Sequence, residues 1–457
     1  MSAADGPDGG SAAAPSRQRE HWGTRLGFVL AAAGSAVGLG NIWKFPYVTG
    51  ENGGGAFLII YLAIIGTLGI SILLAELVIG RTAQKNPVGA FRQLGGTRWR
   101  VAGWMCVLGA FAILSFYTVI AGWTIAFAVK TASGRLTAPG ADTEAIFESF
   151  VSDPVWPLLY AAIFMALTVA VVIGGIRRGI ERVSLVLMPL LFLILIALVV
   201  RAVTLPGAME GLLFFLAPDF SKVTGGTITA ALGQAFFSLS IGMGAMITYG
   251  SYLERKAHIA GSAASVVGLD TLVAILAGLI VFPAVFAVGL RPEGGPGLVF
   301  VTLPAVFAAM PASAVFGTLF FLLLTIAALT SSISILEPAV AYFVDEHNLK
   351  RSRVTILCGV IAFALGIPSS FSLGIWSDYT LFGKGFLDIM DFLTANIMLP
   401  AGGFLIALFV GWVMGPRAIE ALAPNTALGL WLARLWLYGL RFIAPAAIAW
   451  VLISGLI

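Results

Sequence analysis

Residues 34–41 read Gly-Ser-Ala-Val-Gly-Leu-Gly-Asn, in the middle of an apolar stretch from about Leu26 to Val48. A stretch of that length and character reads as a membrane-spanning helix. Three glycines and a terminal asparagine interrupt it near its centre. An unsatisfied backbone carbonyl in hydrocarbon is costly, so an interrupted span survives only where its backbone lines a cavity or is covered by protein. Broken spans of this kind point to a substrate and ion site near the bilayer midplane.

The remainder of the chain supplies that cover. It has 457 residues, 59% hydrophobic and 11% charged, with a mean hydropathy of +0.99. A soluble domain carries roughly 25% charged residues. The chain therefore reads as a polytopic membrane protein whose surroundings are the lipid bilayer. Its pI near 9.1 accompanies a net charge of only +4. In a membrane protein that imbalance reflects loop charge, and no nucleic-acid partner is expected.

A span needs about 20 apolar residues. Eleven are predicted, at approximately 24–49, 55–80, 101–131, 155–175, 180–203, 227–253, 261–290, 313–344, 353–372, 386–414 and 436–456. With the N-terminus inside, 19 of the 26 Lys and Arg residues fall in cytoplasmic segments. That bias predicts a cytoplasmic N-terminus, and an odd number of spans then leaves the C-terminus outside. Residues 1–18 lack the basic start and apolar core of a signal peptide and read as a disordered cytoplasmic tail. Residues 19–457 read as one domain: a repeat at about 19–203, a second at about 227–414, and an extra helix at about 436–456. External loops are expected at 204–226 and 291–312, the second re-entrant or lid-like. Cys106 and Cys358 fall near cytoplasmic helix ends, so no disulfide framework is expected.

A second break, Ser-Leu-Ser-Ile-Gly-Met-Gly, lies at 238–244 in span 6. Spans 1 and 6 occupy corresponding positions if spans 1–5 and 6–10 are inverted repeats. One glycine cluster alone reads as close helix packing. Two in register, each flanked by polar side chains, read as a transport site.

The stretch REHWGTRLGFVLAAAGSAVGLGNIWKFPYVTGENGGGAF (19–57) closely resembles the neurotransmitter:sodium symporter family. GQAFFSLSIGMGAMITYGSYLE (233–254) and ALTSSISILEP (328–338) resemble the same family, and its bacterial amino-acid branch fits an eleven-helix length. The resemblance implies an all-α, LeuT-like fold of five-plus-five inverted repeats, with helices 1 and 6 unwound at the midplane. It also implies alternating-access symport of sodium with an amino acid across a plasma (inner) membrane, by a monomer or weak oligomer.

Sodium takes oxygen ligands. By resemblance one site uses Ala36, Asn41, Ser238 and Asp270, completed by the substrate carboxylate. A second uses carbonyls of Gly34, Val37 and Ala327 with the hydroxyls of Thr330 and Ser331. Alone, such mid-helix hydroxyls read as bonded to their own backbone. Many family members carry asparagine at the position of Asp270 and bind chloride nearby. The matching shell here is Tyr61, Gln234, Ser238, Asp270 and Ala274. A fixed carboxylate can stand for the anion, so chloride is not expected, and Asp270 is expected to return carrying a proton. The other reading is a structural acid with a buried donor.

Helix N-termini at the breaks suit a carboxylate. By resemblance the amides of Leu39 and Gly40 and the hydroxyl of Tyr117 hold it, while carbonyls around Ala36, Phe237 and Ser240 hold the ammonium. Gly38 stands where monoamine transporters carry aspartate, which implies a substrate with its own carboxylate. Leu39 argues against longer GABA-type substrates. Ile113, Phe237, Met243, Ser332 and Ile335 are expected to line an apolar side-chain pocket for hydrophobic or aromatic L-amino acids. Lys44, at a position where arginine is usual, and Asp391 resemble an outer gate. Arg19 and Asp345, with Trp22 and Tyr252, resemble the inner one. Gly179 and Pro189 resemble a Gly-x9-Pro element that lets span 5 unwind, although spacing alone also fits a proline kink. Glu76 is expected to brace the break in span 6.

The chain has no Walker motif, His/Cys metal cluster or enzyme-like triad, so catalysis is not expected. The alternatives are a membrane amino-acid sensor without turnover and a proton-coupled transporter using Asp270. Both gates argue against the first, and Thr330 with Ser331 against the second.

Overall fold

The structure, a computed structural model, describes residues 19–138, 140–289, 297–422 and 426–455. The expected tail 1–18 lies outside these residues, as do Pro292 and Pro296 of the expected lid. In chain order the helices are α1 (Arg25–Ala36), α2 (Gly40–Glu51), α3 (Gly55–Ala83), α4 (Pro87–Gly95), α5 (Thr97–Ala132) and α6 (Thr143–Val151). Then follow α7 (Trp156–Ile173), α8 (Ile176–Val203), α9 (Ala208–Leu216), α10 (Gly225–Ser238), α11 (Ala245–Gly250) and α12 (Ile259–Ala287). The last are α13 (Leu298–Ala308), α14 (Ser313–His347), α15 (Arg351–Phe371), α16 (Phe386–Met414), α17 (Pro416–Leu422) and α18 (Ala427–Ser454). Among the described residues no strand forms beyond two isolated bridges, Gly54 with Pro218 and Leu381 with Lys384.

Nine of these helices are long and apolar enough to cross a membrane. The pair α1 and α2, bent by 50° at its break, makes a tenth. The pair α10 and α11, interrupted at 239–244, is the second broken helix. Helices α5 and α14 pack along each other and are the most buried of the long helices. They form a scaffold beside which both breaks lie.

Each break has a local cause. Helix α1 starts on Thr24, whose hydroxyl accepts the Gly27 amide at 2.9 Å, and it ends at Ala36 because Val37 turns extended, with ψ 99°. In the second break Ser240, Gly242 and Gly244 have φ of 53°, 87° and 69°, the left-handed region that only glycine enters freely. Glycine is required twice over at 242, where a Cβ would meet the Leu399 carbonyl oxygen at 2.3 Å. The Gly242 amide freed by the break donates to Glu76 Oε1 at 2.8 Å, so a buried carboxylate of α3 braces the unwound segment.

Three expectations need correction. The last span begins near Ala427, not at 436. Its two arginines do not exclude it. Arg434 is exposed, and Arg441 Nε donates to the Gly411 carbonyl at 2.7 Å while its guanidinium faces the Trp412 and Tyr438 rings. Segment 204–226 is not all loop, because α9 packs Gly211 so close to α12 that a Cβ there would meet the Phe282 carbonyl at 2.3 Å. The described part of 291–312 contains α13, whose Phe300 stacks on Phe147 of α6.

Candidate functional site

The two breaks bring distant polar groups together in a buried layer. Asn41, on the first turn of α2, donates Nδ2 to Asp270 Oδ1 at 2.7 Å, to the Asp270 carbonyl at 3.1 Å and to Ser238 Oγ at 3.0 Å. Its Oδ1 accepts the Gly38 amide at 3.1 Å. Ser238 Oγ, at the end of α10, lies 2.9 and 3.0 Å from the two Asp270 carboxylate oxygens. Asn41, Ser238 and Asp270 are all at or below 1% exposure. A carboxylate, an amide and a hydroxyl in that volume, beside the broken backbone at Ala36, form an oxygen-rich donor set suited to a hard cation.

A second cluster lies between α1 and α14. Ser331 Oγ sits 3.4, 3.2 and 3.2 Å from the carbonyl oxygens of Gly34, Ser35 and Val37. One hydroxyl proton serves one acceptor at a time. Three carbonyls converging on one hydroxyl are therefore arranged for more positive charge than that hydroxyl carries. Thr330 Oγ1 is directed back to the carbonyls of Ile326 and Ala327, at 3.2 and 3.0 Å. Gly34 allows the approach, since a Cβ there would press on Thr330 Cβ at 3.1 Å and on Met188 Sδ at 3.2 Å.

Between the clusters lies a small cavity lined by Ala36, Gly38, Leu39, Gly40, Ile113, Tyr117, Phe237, Ser240, Met243 and Ile335, with Ser35 and Ser331 at its floor. The Tyr117 hydroxyl is buried without a hydrogen-bond partner among the described residues. A Cβ on Gly38 would stand 2.6 Å from Ser331 Oγ and 3.4 Å from Tyr117 Oη. Glycine thus keeps the backbone close to both hydroxyls, and Leu39 and Gly40, where α2 begins, line the same space. The side walls are aliphatic, aromatic and thioether groups without a charge.

The model of the sodium:neurotransmitter symporter family matches residues 19–149 and 149–457. A sodium-dependent transporter of Bacillus subtilis, YhdH, is 46% identical over 440 residues, covering 95% of this chain and 97% of that protein. A sodium-dependent transporter of Methanocaldococcus jannaschii is 33% identical, covering 94% of this chain and 88% of that one. The crystal structure of MhsT in complex with L-phenylalanine matches with a TM-score of 0.89 at 49% identity, covering 96% of this chain and 100% of that chain. The chain belongs to the sodium:neurotransmitter symporter family. It is a sodium-dependent transporter with the five-plus-five helical fold, and not an enzyme.

Within this symporter the two ends of the central site differ. On the face rich in arginine, called the basic face below, Arg19 Nη1 pairs with Asp345 Oδ2 at 2.7 Å and donates to the Gln84 carbonyl at 2.8 Å. Its Nη2 reaches Ser251 Oγ at 2.7 Å, and the guanidinium lies 4.9 Å from the Tyr252 ring centre. Trp22 Nε1 donates to the Tyr249 carbonyl at 3.0 Å. Tyr252 donates to Glu337 Oε1 at 2.7 Å, and the same buried carboxylate pairs with Arg351. These contacts tie Arg19 and Trp22 to the end of α3, to α14, and to α11 with the segment that follows it.

On the opposite face Lys44 and Asp391 are not within ion-pair distance. Lys44 Nζ instead lies 4.4 Å from the Phe237 ring centre, over the cavity, while Asp391 is exposed. Both line a separate outer cavity with Tyr47, Phe116 and Trp123. Tyr61, Gln234, Ser238, Asp270 and Ala274 lie together and buried. Gln234 Nε2 donates to the Gly40 carbonyl at 2.9 Å, while Gln234 Oε1 and Tyr61 Oη have no partner among the described residues.

Span 5 is wound throughout. A wide π-turn at Ile176–Glu181 leads into α-helix through Pro189. Gly179 here serves close packing, since a Cβ would meet the Val171 carbonyl at 2.2 Å.

Ser332 does not line the cavity. Its hydroxyl donates to the Leu329 carbonyl at 2.9 Å and lies 2.8 Å from Thr168 Oγ1 of α7. Ser331 takes that place, because it shares a helix face with Ile335, four residues on. That spacing was the available sequence signal. The Ser35 carbonyl also joins the second cluster, and nothing in a serine side chain announces its backbone oxygen.

Proposed function

We propose that this transporter imports hydrophobic or aromatic L-amino acids with sodium by alternating access in a plasma (inner) membrane, N-terminus cytoplasmic and C-terminus outside. The observation that carries the reading is the cavity between the two breaks. It combines amide ends at Leu39 and Gly40 and an unpartnered Tyr117 hydroxyl with walls that hold no charge. The likeness to MhsT in complex with L-phenylalanine supports it. The substrate carboxylate meets the α2 N-terminus and Tyr117, and the ammonium meets carbonyls at Ala36, Phe237 and Ser240. Ile113, Met243 and Ile335 hold the side chain.

Sodium is carried at two positions. The first uses Ala36, Asn41, Ser238, Asp270 and the substrate carboxylate. The second uses Gly34, Val37, Ala327, Thr330 and Ser331. Asp270 supplies the negative charge that chloride would otherwise bring, and it returns with a proton because an unpaired charge inside the membrane is costly. Arg19, Asp345, Trp22 and Tyr252 form the inner gate, and Lys44, Asp391 and Phe237 the outer one. Gly179 and Pro189 let span 5 loosen when the inner side opens.

Uptake of labelled L-phenylalanine into proteoliposomes tests the reading. Accumulation driven by an inward sodium gradient in chloride-free gluconate is expected. Binding without accumulation would identify a sensor, and accumulation driven by protons without sodium would overturn the coupling.

A further inference from the structure

At the basic face two carboxylates cross between the segment just before α1 and α8. Glu181, only 4% exposed, lies in the first turns of α8. Its Oε2 accepts the Gly23 amide at 2.7 Å, and its Oε1 accepts the Thr24 amide at 3.0 Å and the Thr24 hydroxyl at 2.9 Å. Thr24 is the N-cap of α1. Glu20 returns the arrangement, because its Oε2 accepts the amide of Ile176, the first residue of α8, at 2.5 Å. Two glycines make room for the exchange. A Cβ on Gly27 would meet Glu181 Oε1 at 2.2 Å, and one on Gly175, whose φ is 75°, would meet the Glu20 carboxylate at 2.6 Å. Among the described residues neither glutamate forms an ion pair with Lys or Arg.

The consequence follows from what a buried carboxylate needs. The amides at a helix start have no partner within the helix and carry partial positive charge. They are the hydrogen-bond donors that hold Glu181 in place. If the segment 19–24 swings away while α8 stays wound, Glu181 keeps its burial and loses three donors, which is costly. If the first turn of α8 loosens while the segment stays, the Ile176 amide leaves Glu20. Each movement alone leaves a buried group without its partner, Glu181 in the first case and the amide of buried Ile176 in the second, and both together open these groups to water.

We propose that Glu20 and Glu181 are positioning residues that make detachment of the N-terminal segment and loosening of the first turn of α8 a single event. The Arg19–Asp345 pair fastens the segment to α14, and the two glutamates add the tie to span 5. The proposal rests on this geometry and not on which amino acid is carried.

Hydrogen exchange read by mass spectrometry on the full chain in nanodiscs tests it, with segments 20–28 and 174–184 followed separately. Exchange reports the population of the opened state. In E181Q and in E20Q both segments are expected to exchange faster by a common factor of about ten or more. The double variant should add little to the stronger single one. If E20Q speeds only 174–184 and E181Q only 20–28, the caps are independent and the proposal fails. Glu20 is exposed, so E20Q keeps the test open if E181Q does not fold. In proteoliposomes the same variants should raise the rate of L-phenylalanine release from the basic face at least threefold, with KM on the opposite face unchanged. A fall in rate with a matching loss of folded protein would mark a structural role only. Exchange is measured without substrate, so failure of the transport reading leaves it intact.

Discussion

Replacing Asp270 by asparagine isolates the charge at the first cation cluster. The substitution keeps the shape and leaves an amide oxygen that can still accept from Asn41 Nδ2, now 2.7 Å from the carboxylate. What disappears is a negative charge at 0% exposure, surrounded by Asn41, Ser238 and the broken backbone of span 1. Two unit charges about 4 Å apart attract by ~4 kcal/mol at an effective dielectric near 20. Each ~1.4 kcal/mol is tenfold in affinity. Sodium affinity in D270N should therefore fall by roughly a thousandfold when no other anion is present.

The Tyr61 hydroxyl, buried beside Asp270 without a partner, is a donor that an anion can take. Chloride should accordingly recover part of the loss. The assay is L-phenylalanine uptake into proteoliposomes as a function of sodium, in gluconate and in chloride. Wild type should be indifferent to the anion, and D270N should work only in chloride. A D270N sodium curve unchanged in gluconate would refute the assignment of the carboxylate to sodium. A wild type silent in gluconate would refute chloride independence.

The neighbouring serines of α14 should separate by role. S331A should raise the sodium concentration for half-maximal uptake about tenfold, because the cation at the second position loses a hydroxyl oxygen that stands among the Gly34, Ser35 and Val37 carbonyls. S332A should leave that concentration unchanged and lower thermal stability by about 1 kcal/mol, the worth of its tie to Thr168. In G38D the new side chain starts 2.6 Å from Ser331 Oγ, so L-phenylalanine binding by scintillation proximity should be lost while the protein remains folded in detergent. E337A strands Arg351 in a buried site and takes the partner of Tyr252, so it should cost about 3–5 kcal/mol in stability. Normal thermal stability of E337A would show that water replaces the carboxylate without penalty.

What could be read from the sequence divides by the kind of atom involved. The breaks at 34–41 and 238–244 were legible because glycine in an apolar span is itself a statement about backbone, whereas Asn41, Ser238 and Asp270, which the fold brings together, came from the family resemblance. Ser332 was misplaced because neighbours on a helix point about 100° apart, and two adjacent serines look alike until one is tied to Ile335 by its spacing. Arg441 of the last span is hard to place from sequence because its partners are the Gly411 carbonyl and the faces of Trp412 and Tyr438, none of which carries a formal charge. Glu20 and Glu181 are the extreme case. Their partners are backbone amides more than 150 residues away along the chain, and every residue has such an amide. A carboxylate that meets an arginine can be guessed from opposite charge, as with Arg19 and Asp345. A carboxylate that meets a helix start can be found only once the fold has brought that start to it, so the ties between the segment before α1 and α8 are the parts this transporter's sequence conceals most.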